Sequence, residues 1–211
     1  MDKIVVKEKL RNKIIAVIRC DNFEMAKLIS KTIIESGITA LEITFTVKGA
    51  PKLIKELKSE NPDALIGAGT VLTIDEADDA LKSGADFIVS PCTIVEIGSF
   101  CRENNIFCSM AAATSTEAFN SYKNGSDVVK LFPGEFIDSR IIKSIKAPMP
   151  FLDMMPTGGV DHNNIKAWFD NGAFAVGVGG YLTKGIDETN LDILKARCEK
   201  LINAADFRVK L

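Results

Sequence analysis

Lys82-Ser83-Gly84-Ala85-Asp86-Phe87-Ile88-Val89-Ser90-Pro91 joins a helical pattern to an apolar, strand-like run through a single glycine. A glycine just past a helix end adopts the left-handed conformation at little cost, so this stretch reads as the αβ loop of a repeating unit. Working outward, Gly37, Gly125 and Gly172 each follow a helical pattern and stand a few residues before a strand candidate. Strands are expected at 14–19, 40–45, 64–71, 87–91, 106–110, 128–133, 151–158 and 175–180. Helices are expected between them at 23–35, 51–59, 74–82, 94–103, 116–123, 139–145 and 164–170, with a last one at 191–204 and a short one at 6–11. Strand–helix alternation without a linker is the pattern of a (β/α)8 barrel, here a single α/β domain over residues 1–211. A doubly wound open sheet would usually have fewer strands at this length. It would also want a glycine fingerprint after the first strand, where Ile18-Arg19-Cys20-Asp21 stands.

Composition narrows the function. Hydrophobic residues make up 46% of the 211, enough for a sizeable core. A net charge of −2 argues against a nucleic-acid partner. No apolar run approaches a membrane span, and the N-terminus has no signal-peptide core, so a cytoplasmic protein is expected. Five cysteines, with no C-x-x-C pair, suggest small buried apolar residues rather than disulfides or zinc ligands. The single histidine, His162, lies in a polar run where a helix should start, beside no nucleophile motif. Multi-histidine metal sites are therefore excluded, which leaves lysine, carboxylate, hydroxyl and backbone groups for any chemistry.

Lys130 supplies the sharpest clue, because Val128-Val129-Lys130-Leu131-Phe132-Pro133 places it within an apolar strand. A lysine stripped of water loses its proton more easily, and the neutral amine can attack a ketone. In strand 40–45, Glu42 and Thr44 alternate with Leu41, Ile43 and Phe45 and should point inward. Strands two and six are both even-numbered, and alternate strands of such a barrel fill the same interior layer, so Glu42 and Lys130 can meet. Either they form a buried ion pair without chemistry, or Lys130 is an imine-forming amine served by Glu42 as acid and base.

Glycine clusters mark an anion site. Thr157-Gly158-Gly159 ends the seventh strand and Gly177-Val178-Gly179-Gly180 the eighth, where barrels of this kind bind phosphate with bare backbone N–H groups. Thr70, after Gly67-Ala68-Gly69, can offer a hydroxyl to a carboxylate, and Arg19 at the end of the first strand is a second candidate anion ligand, or else a structural surface arginine.

Glu42-Ile43-Thr44, Gly67-Ala68-Gly69-Thr70-Val71, Ser90-Pro91, Lys130-Leu131-Phe132-Pro133-Gly134-Glu135 and Pro156-Thr157-Gly158-Gly159-Val160 resemble, in order, the motifs of the KDPG/KHG aldolase family. The resemblance implies cleavage of 2-keto-3-deoxy-6-phosphogluconate to pyruvate and glyceraldehyde 3-phosphate, with 4-hydroxy-2-oxoglutarate as a further substrate. It implies Lys130 as Schiff-base lysine and Glu42 as acid/base, with Thr70, Pro91 and Phe132 lining the pyruvyl half. Arg19 matches an arginine of part of the family, and Gly158, Gly159 and Gly179 would cradle the phosphate. The family is metal-free, uses no cofactor and is typically trimeric. Three departures bear on substrate choice: Thr46 where many members have arginine, Gly180 where a serine is usual, and Met110-Ala111-Ala112-Ala113-Thr114 in place of a Pro-Gly segment. With arginine absent at 46, Arg19 or Lys48 would serve the anion. The alternatives are the phosphogalactonate acid as substrate, a phosphate-binding isomerase or synthase using Lys130 only as a charge, and a non-catalytic sugar-phosphate binder.

Overall fold

The computed structural model describes residues 1–205. In order they form α1 (Lys3–Leu10), β1 (Ile14–Ile18), α2 (Phe23–Glu35), β2 (Ala40–Thr44), α3 (Ala50–Glu60), β3 (Leu65–Gly69), α4 (Ile74–Lys82), β4 (Phe87–Ser90), α5 (Val95–Glu103), β5 (Phe107–Ala112), α6 (Ser115–Lys123) and β6 (Val129–Leu131). A 3-10 turn (Gly134–Phe136) precedes α7 (Ile141–Lys146), β7 (Met154–Pro156), α8 (Ile165–Asp170), β8 (Val176–Val178), α9 (Gly180–Thr183) and α10 (Leu191–Ala205). The eight strands pair in the order β7-β6-β5-β4-β3-β2-β1-β8, and the strand pairs are parallel. The ring closes between β7 and β8 through the Thr157–Gly177 bridge and a bond from the Phe174 N–H to the Met154 carbonyl at 2.8 Å. This is a single (β/α)8 barrel with an added N-terminal helix. Among the described residues no helix is long and apolar enough to cross a membrane.

The glycine refrain has one geometry throughout. Gly37, Gly84, Gly125 and Gly172 have φ of 96, 84, 110 and 91°. In each case the next N–H reaches back five residues, as in Ile38 to the Ile33 carbonyl (3.2 Å) and Ala85 to the Ala80 carbonyl (3.1 Å). These are Schellman ends, which satisfy carbonyls that the last helical turn leaves open. A fifth repeat carries asparagine instead: Asn105, at φ 51°, lets the Ile106 N–H bond the Cys101 carbonyl at 2.9 Å. Asparagine tolerates that region better than other side chains. At the opposite ends, Thr73 with Glu76 and Thr114 with Glu117 form capping boxes that start α4 and α6.

Strand alternation divides the core into two layers. Ile14, Ala16, Leu41, Ile43, Ile66, Ile88, Val129 and Leu131 face the helices within one large apolar cluster. Ile15, Ala40, Leu65, Phe87, Phe107, Val128 and Met155 fill the lower barrel, where Val6 and Leu10 of α1 pack among them as a plug. Lys3 and Lys7 fasten α1 to Asp127 and Asp153 at 3.0 Å each.

Several expectations need correction. The seventh strand is Met154–Pro156 rather than 151–158, because its partner β6 offers only Val129–Leu131 for pairing. Outside it, Phe151 is half exposed against Tyr122, and Asp153 binds Lys7 and Lys146. The eighth strand stops at Val178, and Gly180 begins the short helix α9 instead of ending a strand. The first helix starts at Lys3, not residue 6, with the Asp2 side chain accepting from the Ile4 N–H. β5 runs on to Ala112 because Ala111 and Ala112 pair with Lys130 and Leu131. Cys101, Cys108 and Cys198 are buried as expected, but Cys92 is exposed and Cys20 only half-buried.

Candidate active site

Glu42 and Lys130 meet inside the barrel toward its C-terminal end. Lys130 Nζ lies 3.3 Å from Glu42 Oε1, with the two side chains 6% and 1% exposed. The other carboxylate oxygen, Oε2, is buried without a hydrogen-bond partner. Burying charge is costly unless it is fully paired, so an ion pair with one oxygen left over is poorly explained as a stability device. Room for this carboxylate comes from β3. A Cβ on Gly69 would lie 2.2 Å from Glu42 Oε1 and 2.4 Å from its Cγ.

The surrounding wall is mixed. The Phe132 ring lies 5.5 Å from Lys130 Nζ, measured to its centroid, and Pro91 is half-buried at the end of β4. Two further hydroxyls, Ser109 Oγ and Thr157 Oγ1, are buried and unpartnered. Ser109 stands one inward step below Ala111, which pairs with Lys130. The alternation Phe107-Ser109-Ala111 is the signal in the sequence that turns it inward. Thr44 Oγ1 donates to the Ile18 carbonyl at 2.9 Å and contacts Thr46 Oγ1 at 2.7 Å, so it holds β1 to β2 at the rim.

Thr70 is half-buried after β3 with φ of 57°. A β-branched residue there is strained, and such strain concentrates at ligand sites. Arg19 is exposed at the end of β1 and Lys48 is exposed beyond β2.

The loops after β7 and β8 are built around backbone. Gly158 and Gly159 have φ of 95 and 67°. A Cβ on Gly158 would collide with the Glu135 carboxylate at 2.3 Å, and one on Gly159 with the Glu135 backbone at 2.8 Å. The Gly159 carbonyl accepts from Asn164 Nδ2 at 2.7 Å. Gly179 and Gly180 turn the chain from β8 into α9, and nothing lies within 4 Å of a Cβ built on Gly180. His162 is in a turn before α8, its ring 5.3 Å from that of Tyr181. Burial and the nearby Asp161 charge push the Tyr181 phenol up. Among the described residues no group of three or more histidine, cysteine, aspartate or glutamate side chains is placed to hold a metal ion. The structure thus gathers Glu42, Lys130, Phe132 and Thr157 in the barrel, sets Thr46 and Thr70 beyond β2 and β3, and places Arg19 at the end of β1, next to the β8 strand that leads into Gly179 and Gly180.

A (β/α)8 barrel with a buried lysine–carboxylate pair under a glycine-lined mouth defines a class of barrel enzymes acting on small molecules. Residues 6–196 match the family model for KDPG and KHG aldolases. The chain belongs to that family, whose members are lyases. It is 35% identical over 161 residues to the 2-dehydro-3-deoxy-phosphogluconate aldolase of Haemophilus influenzae, covering 75% of this chain and 76% of the relative. To the 2-dehydro-3-deoxy-6-phosphogalactonate aldolase of Escherichia coli it is 31% identical over 152 residues, 71% and 74% of the two chains. Among solved structures, a KDPG aldolase from Legionella pneumophila, with pyruvate captured as a covalent carbinolamine, superimposes with a TM-score of 0.81. Its identity is 26%, over 91% of this chain and 95% of that one.

Proposed function

We propose that this protein is a class I aldolase that cleaves 2-keto-3-deoxy-6-phosphogluconate to pyruvate and glyceraldehyde 3-phosphate through an imine on Lys130. The observation that carries the reading is the 3.3 Å contact between Lys130 and a Glu42 carboxylate whose second oxygen has no partner. Such a pair can trade one proton: transfer from Nζ to the carboxylate leaves an amine nucleophile beside a carboxylic acid. Nζ attacks C2 of the keto acid, Glu42 protonates the oxygen, and the carbinolamine loses water to give an iminium. Glu42, again a carboxylate, takes the proton of the C4 hydroxyl while the C3–C4 bond breaks. Those electrons move into the iminium, forming an enamine and releasing the aldehyde. Glu42 returns its proton to C3, and water hydrolyses the resulting imine to free pyruvate and Lys130. The carbinolamine in the Legionella relative supports the first covalent step.

Binding divides among the loops at the mouth. Thr70 and Arg19 would take the C1 carboxylate, with Thr46 beside them in place of an arginine, while Phe132 and Pro91 would wall the pyruvyl carbons. Gly158, Gly159, Gly179 and Gly180 would hold the phosphate, with the Thr157 hydroxyl between phosphate and reacting carbons. The Escherichia coli relative supports a second reading in which the C4 epimer, the phosphogalactonate acid, is the substrate. A homotrimer fits the family resemblance, and Phe136, 84% exposed, offers an apolar surface for subunit contact. Borohydride added with pyruvate should leave an irreversible adduct on Lys130, located by peptide mass. Cleavage rates on both epimers and on 4-hydroxy-2-oxoglutarate then fix the substrate. An enzyme that cleaves any of these acids with no trapped adduct would refute the imine.

A further inference from the structure

The loops after β7 and β8 come from chain segments about twenty residues apart, and each carries two consecutive glycines. Backbone N–H groups can bind an anion well only if both loops hold a fixed spacing, because a hydrogen bond weakens steeply with distance and angle. The loop after β7 is braced within itself. Asn164 Oδ1 accepts from the Asp161 N–H at 3.0 Å, and its Nδ2 donates to the Gly159 carbonyl at 2.7 Å. Behind Gly159 stands the Glu135 backbone, which leaves no space for a side chain there.

What ties this braced loop to the next is a pair of rings. His162 follows Gly159 by three residues and Tyr181 follows Gly180 directly, and their centroids are 5.3 Å apart with the planes tilted by 36°. His162 Nδ1 is buried and has no hydrogen-bond partner. The imidazole therefore acts through its face and edge at this position, not through that nitrogen. A buried nitrogen without a partner costs free energy, and a plain phenyl ring would avoid that cost in the same place.

We propose that the His162–Tyr181 ring contact is a clamp that sets the spacing of the two glycine loops, making His162 a positioning residue for the substrate phosphate. The inference rests on the reading of those loops as the phosphate site. Aromatic pairs contribute about 0.5–1.5 kcal/mol beyond area burial, which corresponds to about two- to tenfold in affinity.

The test compares the wild type with His162→Ala and His162→Phe, using calorimetric binding of inorganic phosphate and steady-state cleavage of the phosphorylated acid and 4-hydroxy-2-oxoglutarate. His162→Ala should weaken phosphate binding and raise KM for the phosphorylated acid, both by about two- to tenfold. It should leave kcat, and KM for the unphosphorylated acid, within about twofold. His162→Phe should restore phosphate affinity to the wild-type value or better. In a Tyr181→Leu background, which already lacks the ring partner, His162→Ala should add nothing. Unchanged phosphate binding in His162→Ala, equal KM rises on both substrates, or failure of phenylalanine to rescue would each overturn the clamp. A wild type that binds no phosphate and does not prefer the phosphorylated acid would instead overturn the phosphate reading beneath it.

Discussion

At the lower end of the barrel the inward positions are Ile15, Leu65, Phe87, Phe107, Val128 and Met155, sealed by Val6 and Leu10 of α1. At the upper end the same strands turn Glu42, Ser109, Lys130 and Thr157 inward, and three of those four carry a buried polar atom with no partner. Both ends obey one period of two, so the backbone does not distinguish them. The difference lies in what each side chain can satisfy. Phe87 and Phe107 meet edge to face with centroids 6.4 Å apart, and every inward group below is content in an apolar setting. Above, three groups have no protein partner, which leaves them available to a substrate or to water. The apolar floor also keeps water from below the Lys130–Glu42 pair, where a lower local dielectric strengthens each electrostatic contact.

The comparison makes a sharp demand: upper substitutions should alter chemistry and lower ones stability. The largest effect is expected from Lys130→Arg, which keeps the charge but has a guanidinium that cannot be deprotonated to attack a ketone. Cleavage should fall below detection with no borohydride adduct, and substantial residual cleavage would sink the imine mechanism. Glu42→Gln should lower kcat by about 10² to 10⁴ while still trapping pyruvate slowly, since dehydration of the carbinolamine also needs its proton.

Phe87→Ala is the counterpart below. Loss of a buried phenylalanine costs about 3–5 kcal/mol of stability, read as a lower denaturation midpoint, while kcat of the folded protein should stay near the wild type. A large loss of kcat would mean that the two ends are mechanically coupled. Two glycines of β3 sharpen the point further, because they are two residues apart and both face inward. A Cβ on Gly67 would lie 2.2 Å from the Phe87 ring, and one on Gly69 2.2 Å from Glu42 Oε1. Overpacking of this kind typically costs about 1–3 kcal/mol. Gly67→Ala should therefore lower stability and spare kcat, whereas Gly69→Ala should lower kcat by displacing the carboxylate. Reversed outcomes would show that the interior has been divided wrongly.

Much of this was legible from residue order alone. The helix-ending glycines announced the repeating unit, and the 74–82 and 23–35 helices coincide with α4 and α2. Lys130 and Glu42 stood out because a strand's alternation fixes which face each side chain takes. The fifth Schellman turn is not legible in the sequence since Asn105 carries it, and asparagine is common in many other settings. β7 and β8 are shorter than their apolar runs because pairing length depends on the neighbouring strand, which composition does not encode. The clearance that Gly69 gives Glu42 and the His162–Tyr181 contact are relations between distant segments. No local pattern records them.

The smallest predicted effect lies at the proposed phosphate rim, at Gly180. Its neighbourhood has space, since nothing lies within 4 Å of an added Cβ, and its φ is not in the left-handed region. Gly180→Ser should therefore be accommodated without strain, and the protein's thermal midpoint should hardly move. The new hydroxyl adds one donor to a site otherwise made of backbone N–H groups. A hydrogen bond to a charged group contributes about 1.5–3 kcal/mol, and a neutral one about 0.5–1.5. Against water at an exposed rim, the lower range is the appropriate one. KM for the phosphorylated keto acid should then fall by no more than about tenfold, which corresponds to about 1.4 kcal/mol. Cleavage of 4-hydroxy-2-oxoglutarate should be nearly unchanged, because it has no phosphate to meet the hydroxyl. Equal effects on both substrates would mean that Gly180 shapes the reacting centre, and the separation of a phosphate rim from the chemistry below it would fail. No effect on either would place the anion elsewhere, with Lys48, exposed beyond β2, the next residue to replace.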